Sequence, residues 1–233
     1  MPELKDGIHW FEKTLGSKIE GAIKQNTKIS ITLDLVTAIA LQETYYLWAK
    51  FYSQLPLDQT LLLCVGDSLG GADGRSAFPA SKAELLAAHD GGKMFNIARD
   101  SLKDIGKYRP EYKKKFDSDP DAFCHGFGIF QNDIQHYKSR PDFFLQKRWS
   151  DFDACLHRFI EEIEIAQAGA GLGGKKDLTD EEKTFVAIVY NMGSKKFDKA
   201  KGIKQGHLNK KEHKYYGEYI WDNLKIVHRA RQP

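Results

Sequence analysis

Residues 31–54, ITLDLVTAIALQETYYLWAKFYSQ, run without a proline or glycine and bring an apolar residue round every three or four positions. That period belongs to an amphipathic helix. Much of the chain follows it. Ser81-Lys82-Ala83-Glu84 is a capping-box sequence ahead of ELLAAH, a further helix is expected over KMFNIARDSLKDI, and Pro141 suits the first turn of PDFFLQKRW. Residues 151–168 alternate faces as a helix does; Thr179-Asp180-Glu181-Glu182 opens another, which Gly193 should stop. Two stretches, 65–80 and 108–132, are rich in Gly, Asp and Pro and read as loops or short hairpins. Only 60–65 reads as a buried strand, and a run that short could equally be helical. The expected class is α+β, predominantly helical, and not an alternating strand–helix fold.

A chain of 233 residues suits one domain, 1–233, with a sizeable core and room for an insertion. No apolar run approaches the roughly 18–20 residues of a membrane span. The N-terminus, MPELKDGIHWFEKTLG, is too polar for the apolar core of a signal peptide, so synthesis in the cytoplasm is expected, with any action outside depending on export or release. Cys64, Cys124 and Cys155 are odd in number and include no CxxC pair, which suits neither a disulfide framework nor a structural zinc site. Charge is uneven. Residues 194–233 hold eleven Lys or Arg against four Asp or Glu, a net of +7, which leaves −4 for the first 193. This basic segment, helical over about 207–230, could attract nucleic acid or an anionic polymer; no nucleic-acid motif accompanies it, and no nucleic-acid partner is expected.

Gly66-Asp67-Ser68-Leu69 follows an apolar run, as the nucleophile does in esterases of the GDSL type. A serine needs a histidine to take its proton and a carboxylate to orient that histidine. Those enzymes also need a parallel sheet, hence several strand-like runs, and a G-x-N-D block. Here Asn132-Asp133 follows Phe130-Gln131, without the glycine, and sixty-odd residues precede Ser68 where the family's nucleophile sits near the start. The esterase is the weaker reading.

Glu43 carries more. On the first helix Val36, Ile39, Ala40, Glu43 and Leu47 share a face. A carboxyl continuing a core-facing stripe is desolvated, which favours its neutral form and leaves a proton donor near neutrality. Protonating a poor leaving oxygen is what cleavage of a glycosidic bond demands. The plainer alternative is a half-exposed, ion-paired glutamate. Downstream, HGFGIFQND (125–133) sets Gly126 and Gly128 where backbone could approach a ligand and offers Gln131 to hydroxyl or acetamido groups. VAIVYNMG (186–193) puts Tyr190 and Asn191 at a helix end, where a tyrosine can stack on a sugar.

In this order the segments resemble a known family. AIALQETYYLW is similar to the segment bearing the catalytic glutamate in bacterial lytic transglycosylases and goose-type lysozymes. GFGIFQND resembles their G-x-G-L-M-Q-x-D, VYNMG resembles their A-Y-N-A-G, and Tyr216 and Tyr219 in YYGEYI fall where the family has a further tyrosine. The departures are Thr44 for the usual Ser, Phe130 for the usual Met, and a longer gap before Gly126, which reads as an insertion of about 64–120. The resemblance implies a lysozyme-like fold and a glycosidase or lytic transglycosylase cleaving β-1,4 bonds between the amino sugars of peptidoglycan, at the cell wall, in the periplasm or outside the cell. Glu43 would be its general acid and base, Gln131, Tyr190, Asn191 and Tyr219 its substrate-binding residues. A transglycosylase needs no second carboxylate, because the sugar's own C6 hydroxyl attacks; a hydrolase needs one, and Asp121, Asp73 and Asp67 are the candidates. No metal or cofactor is called for. A chitinase or chitosanase, or a glycan-binding protein that has lost catalysis, remain as alternatives.

Overall fold

The computed structural model describes residues 3–66, 75 and 77–232. It is mainly helical with little strand, so the α+β, predominantly helical class holds. The chain forms two compact units: one runs to Tyr45 and resumes at Leu156, the other is Tyr46–Cys155. Both changes of unit fall inside helices, α2 (Leu33–Trp48) and α8 (Phe152–Gly169).

The first unit opens with α1 (Leu4–Gln25), whose Ile8, Phe11, Leu15 and Ile19 are buried at offsets of three, seven and eleven. The sequence reading took this stretch only as too polar for a leader and missed the stripe. α9 (Asp180–Met192) starts at the expected capping box: the Thr179 hydroxyl accepts from the Glu182 amide, and the Glu182 carboxylate accepts from the Thr179 amide. Gly193 ends it at φ 79°, a left-handed value that favours glycine. α10 (Tyr216–Ala230) buries Tyr216, Ile220, Leu224 and Val227, and packs on both α9 and α1.

The basic C-terminal stretch is not helical from 207. A two-stranded antiparallel hairpin, Leu208–Asn209 with Lys214–Tyr215, comes first. The Asn209 side chain accepts from the amides of Lys211 and Glu212, and His213 sits at φ 51°, so local bonds favour a turn over a helix there.

The second unit is built round α5 (Gly91–Gly106), which presents Met94, Phe95, Ala98, Leu102 and Ile105 to a largely aromatic core with Phe123, Phe127, Phe144 and Trp149. The run near 60–65 divides: α3 (Leu57–Leu62) precedes a strand, β1 (Val65–Gly66). That strand edges a three-stranded antiparallel sheet with β2 (Gly126–Phe127) and β3 (Asn132–Asp133), in register Gly66 with Gly126 and Gly126 with Asp133.

Three expectations of local structure change. The stretch 108–132 contains a helix, α6 (Pro110–Ser118); it buries no residue fully, so it carries little apolar periodicity. Its end is held from outside by Arg99, whose guanidinium donates to the Phe116 carbonyl and, just beyond the helix, to the carbonyls of Asp119 and Ala122. α2 stops at Trp48 instead of reaching 54, giving way to turns that lead to Pro56, which disfavours helix in the residue before it. Pro141 does occupy the first turn of a helix, but that helix ends at Leu145, and Lys147 takes a left-handed φ of 53° before a separate short turn. Among the described residues no helix is long and apolar enough to cross a membrane.

Candidate active site

The expected stripe on α2 is present: Val36, Ile39, Ala40 and Leu47 are fully buried, and Glu43 between them is half-buried. The Tyr216 hydroxyl donates to Glu43 Oε1 at 2.6 Å. Burial pushes the Tyr216 phenol well above its ordinary value near 10, and the Glu43 charge, the hydrogen bond to it and the neighbouring Tyr190 push the same way. Tyr216 is thus a neutral phenol that keeps its proton and orients one carboxyl oxygen.

Glycines and a buried amide put it there. A Cβ on Gly217 would stand 2.3 Å from the Ile203 carbonyl oxygen and 2.6 Å from Ile188, so only glycine lets the first turn of α10 lie against that loop and α9. Gly206, at φ 89°, similarly lets its loop approach Tyr216 and Asn191. The loop itself is held by Gln205, buried, whose side chain bonds the amide and carbonyl of Asp198 and the carbonyl of Gly202.

The other expected residues of this unit lie nearby in different roles. Tyr190, half-buried, packs edge-on against Phe159 with ring centroids 5.5 Å apart. Asn191 is exposed, and its Oδ1 accepts from the His207 amide at 3.0 Å, so it fixes the start of the hairpin. Tyr219 faces the hairpin: its hydroxyl donates to Glu212 at 2.5 Å and accepts from Asn209 at 3.1 Å. A pocket of about 480 Å³ lies between Gln42, the hairpin and the rings of Tyr216 and Tyr219.

Gln131 and Asp121 belong to the second unit. Gln131 has a φ of 51° and folds over the sheet, donating to the carbonyls of Cys64 and Gly128. Its Oε1 is 2.1 Å from where a Cβ on Gly126 would stand, and a Cβ on Gly128 would meet Cys155 at 2.8 Å. The space at both glycines is filled by the protein's own side chains, which corrects the expectation of a close approach by ligand. Asp121 is exposed and paired with Lys82 at 2.8 Å. Ser68, Asp67 and Asp73 lie outside the described residues.

Two further groups bear on the chemistry. A D-x-x-H spacing of the kind a GDSL-type triad uses does occur downstream of Ser68, at Asp133-Ile134-Gln135-His136. Its aspartate is engaged by Arg75 and by the Gln135 amide, and the described strands are all antiparallel, unlike the sheet such an esterase needs. Asp34, Asp180 and His228 place ligand-type atoms within 4.8 Å of one another, but the Lys183 ammonium is bonded to both aspartates at 2.9 and 3.3 Å. A resident positive charge stands where a cation would. All three cysteines are buried free thiols, and burial pushes Cys64 well above the ordinary range and Cys155 up to about 12.

Compared with protein-family models, with curated proteins and with solved structures, the chain matches none.

Proposed function

We propose that this chain is a glycosidase or lytic transglycosylase with a lysozyme-like fold that cleaves β-1,4 bonds between amino sugars of peptidoglycan. The observation that carries the reading is the half-buried Glu43, on an otherwise buried stripe, held at 2.6 Å by a neutral Tyr216. The order of AIALQETYYLW, GFGIFQND and VYNMG along the chain supports it. Glu43 gives its proton to the glycosidic oxygen as the bond to the anomeric carbon breaks. In the transglycosylase ending the C6 hydroxyl oxygen then bonds to that carbon, and its proton returns to Glu43. The exposure of Asp121 and its ion pair with Lys82 suit a turn-forming aspartate and favour this ending, which needs no second carboxylate. Action at the cell wall, in the periplasm or outside the cell belongs to the same proposal, as does retention on anionic wall polymers by the basic C-terminal segment.

The test is mass spectrometry of peptidoglycan digests made with the protein and with Glu43→Gln. The substitution should lower turnover by about a thousandfold while the protein stays folded. Anhydro products would support the transglycosylase, and free reducing ends the hydrolase. Turnover of chitin or chitosan alone would shift the substrate class. Tight glycan binding without turnover by either protein would leave a silent binding protein. Activity that survives Glu43→Gln would sink the reading.

A further inference from the structure

The hairpin pocket is the cavity beside Glu43 within the first unit. Two of its residues connect it to the acid: Gln42 is the chain neighbour of Glu43, and Tyr216 is the donor to it. The pocket therefore shares a wall with the proposed reacting centre, and a glycan cleaved there would lay part of its length against the hairpin.

The charge on that wall is unbalanced. Lys210 and Lys211 line the pocket, are exposed, and form no ion pair with any described residue. Glu212, which also lines the pocket, accepts from the Tyr219 hydroxyl at 2.5 Å, so the wall carries two ammonium groups against one carboxylate held to the aromatic side. The nearby Lys214, by contrast, is paired with Asp222 at 2.7 Å. Two unpaired ammonium groups thus stand at the edge of a pocket whose other wall is tyrosine. A neutral sugar would use the rings and leave the lysines idle. A sugar that carries a carboxylate would use both.

The hairpin is held for this. Asn209 binds Tyr219 through its amide nitrogen and accepts from the Lys211 and Glu212 backbone amides through its oxygen, and the Tyr216 amide donates to the His207 carbonyl at 2.8 Å. Lys210 and Lys211 therefore sit on a turn whose backbone is fixed at both ends, so an anion would order their side chains but not the chain beneath them.

Resting on the reading of Glu43 given above, we infer that the hairpin pocket is a subsite for a carboxylate-bearing amino sugar, with Lys210 and Lys211 as its anion-binding residues. The carboxylate could be the ether-linked acid of the sugar itself or a carboxylate of an attached peptide. Both present the same group, and the experiment separates them.

Binding is measured calorimetrically in the Glu43→Gln background, so that no ligand is consumed. The ligands are a peptide-free tetrasaccharide of alternating N-acetylglucosamine and N-acetylmuramic acid, the same tetrasaccharide bearing peptides, and chitotetraose. Adding Lys210→Ala and Lys211→Ala should weaken the muramic ligands about tenfold, as two exposed charge contacts would, and chitotetraose less than twofold. The loss should shrink at high salt. An effect already complete on the peptide-free ligand assigns the sugar's own acid; one confined to the peptide-bearing ligand assigns the peptide. Equal weakening of chitotetraose, or no weakening of any ligand, overturns the inference while leaving Glu43 untouched. Failure of all three ligands to bind the Glu43→Gln protein overturns the glycan reading and this subsite with it.

Discussion

The two units treat a buried ionisable side chain in opposite ways. In the first, Asp34 is 4% exposed and surrounded by donors: the Leu35 amide, the Thr32 hydroxyl, the Lys183 ammonium and His228 Nε2. Burial alone would raise its pKa, but the bonds from His228, Thr32 and Lys183, with the Lys183 charge, hold the carboxyl well below the usual carboxylate range. In the second, His125 is 1% exposed; its Nδ1 meets Arg75 at 3.0 Å, and its Nε2 has no hydrogen-bond partner among the described residues. Burial, with the Arg75 charge beside it, pushes its pKa down to about 3, so the imidazole is neutral. One buried group keeps its charge because an ammonium and several hydrogen-bond donors answer it. The other gives its charge up because burial disfavours it and a neighbouring cation adds to the cost. The two units should therefore fail under different stresses.

The largest effect is expected from removing a cation from the first network. Lys183→Met leaves Asp34 buried with its ammonium partner gone, and breaking such a pair costs about 3–5 kcal/mol. Urea unfolding monitored at α9 and α10 should report a loss of that size. A change under 1 kcal/mol would mean that His228 alone can hold Asp34, and the contrast between the units would weaken.

Acid should act next, and on the second unit first. The folded pKa of His125 lies below its unfolded value, so the unfolded chain binds the extra proton. Stability is then complete above the ordinary value near 6.5 and falls as pH drops towards about 3. The slope is about 1.4 kcal/mol per pH unit, or some 2–3 kcal/mol by pH 4.5. Asp34 is also depressed, so its contribution is present above the ordinary carboxylate value of 3.8 and is lost only below it. Hydrogen exchange between pH 6.5 and 4.5 should show amides around Met94 and Phe127 losing protection while those around Val186 and Ile220 keep theirs. Parallel loss in both units, or an unchanged slope in His125→Gln, would break the comparison.

The sequence disclosed what periodicity and capping govern. The α2 stripe, the Thr179 box and the Gly193 stop could all be read because each depends on neighbours within a few residues. What depended on tertiary partners stayed hidden. α6 buries nothing fully and is capped by an arginine eleven residues before it begins, so no local pattern announces it. Gln205 carries no local signal in the sequence and organises a loop from inside. The choice between two tyrosines was legible and was missed: Tyr216 shares the α10 face of Ile220, Leu224 and Val227 at offsets of four, eight and eleven, whereas Tyr219 does not. The family motif also fits this chain loosely. In A-I-x-x-E-S two residues separate isoleucine from glutamate, while here three separate Ile39 from Glu43, so the helical face was the better guide to that residue.

The smallest effect tests the acid itself. Asp34 is bonded by the Lys183 ammonium, whereas a donor to Glu43 Oε1 is a neutral phenol. A cation would favour the carboxylate strongly. A phenol orients the group and adds no charge, which suits the acid and base role proposed for Glu43. Tyr216→Phe keeps the ring against Gly206 and removes only the hydroxyl. Loss of one such bond is about 1–2 kcal/mol, so kcat should fall about tenfold, with KM within twofold because the ring that lines the pocket remains. The pH–rate profile should also change in the limb that reports Glu43, which a merely structural substitution would leave alone. An unchanged kcat would mean that Tyr216 anchors α10 and nothing more. A fall in KM-limited binding alone would place its role in the pocket, away from the acid.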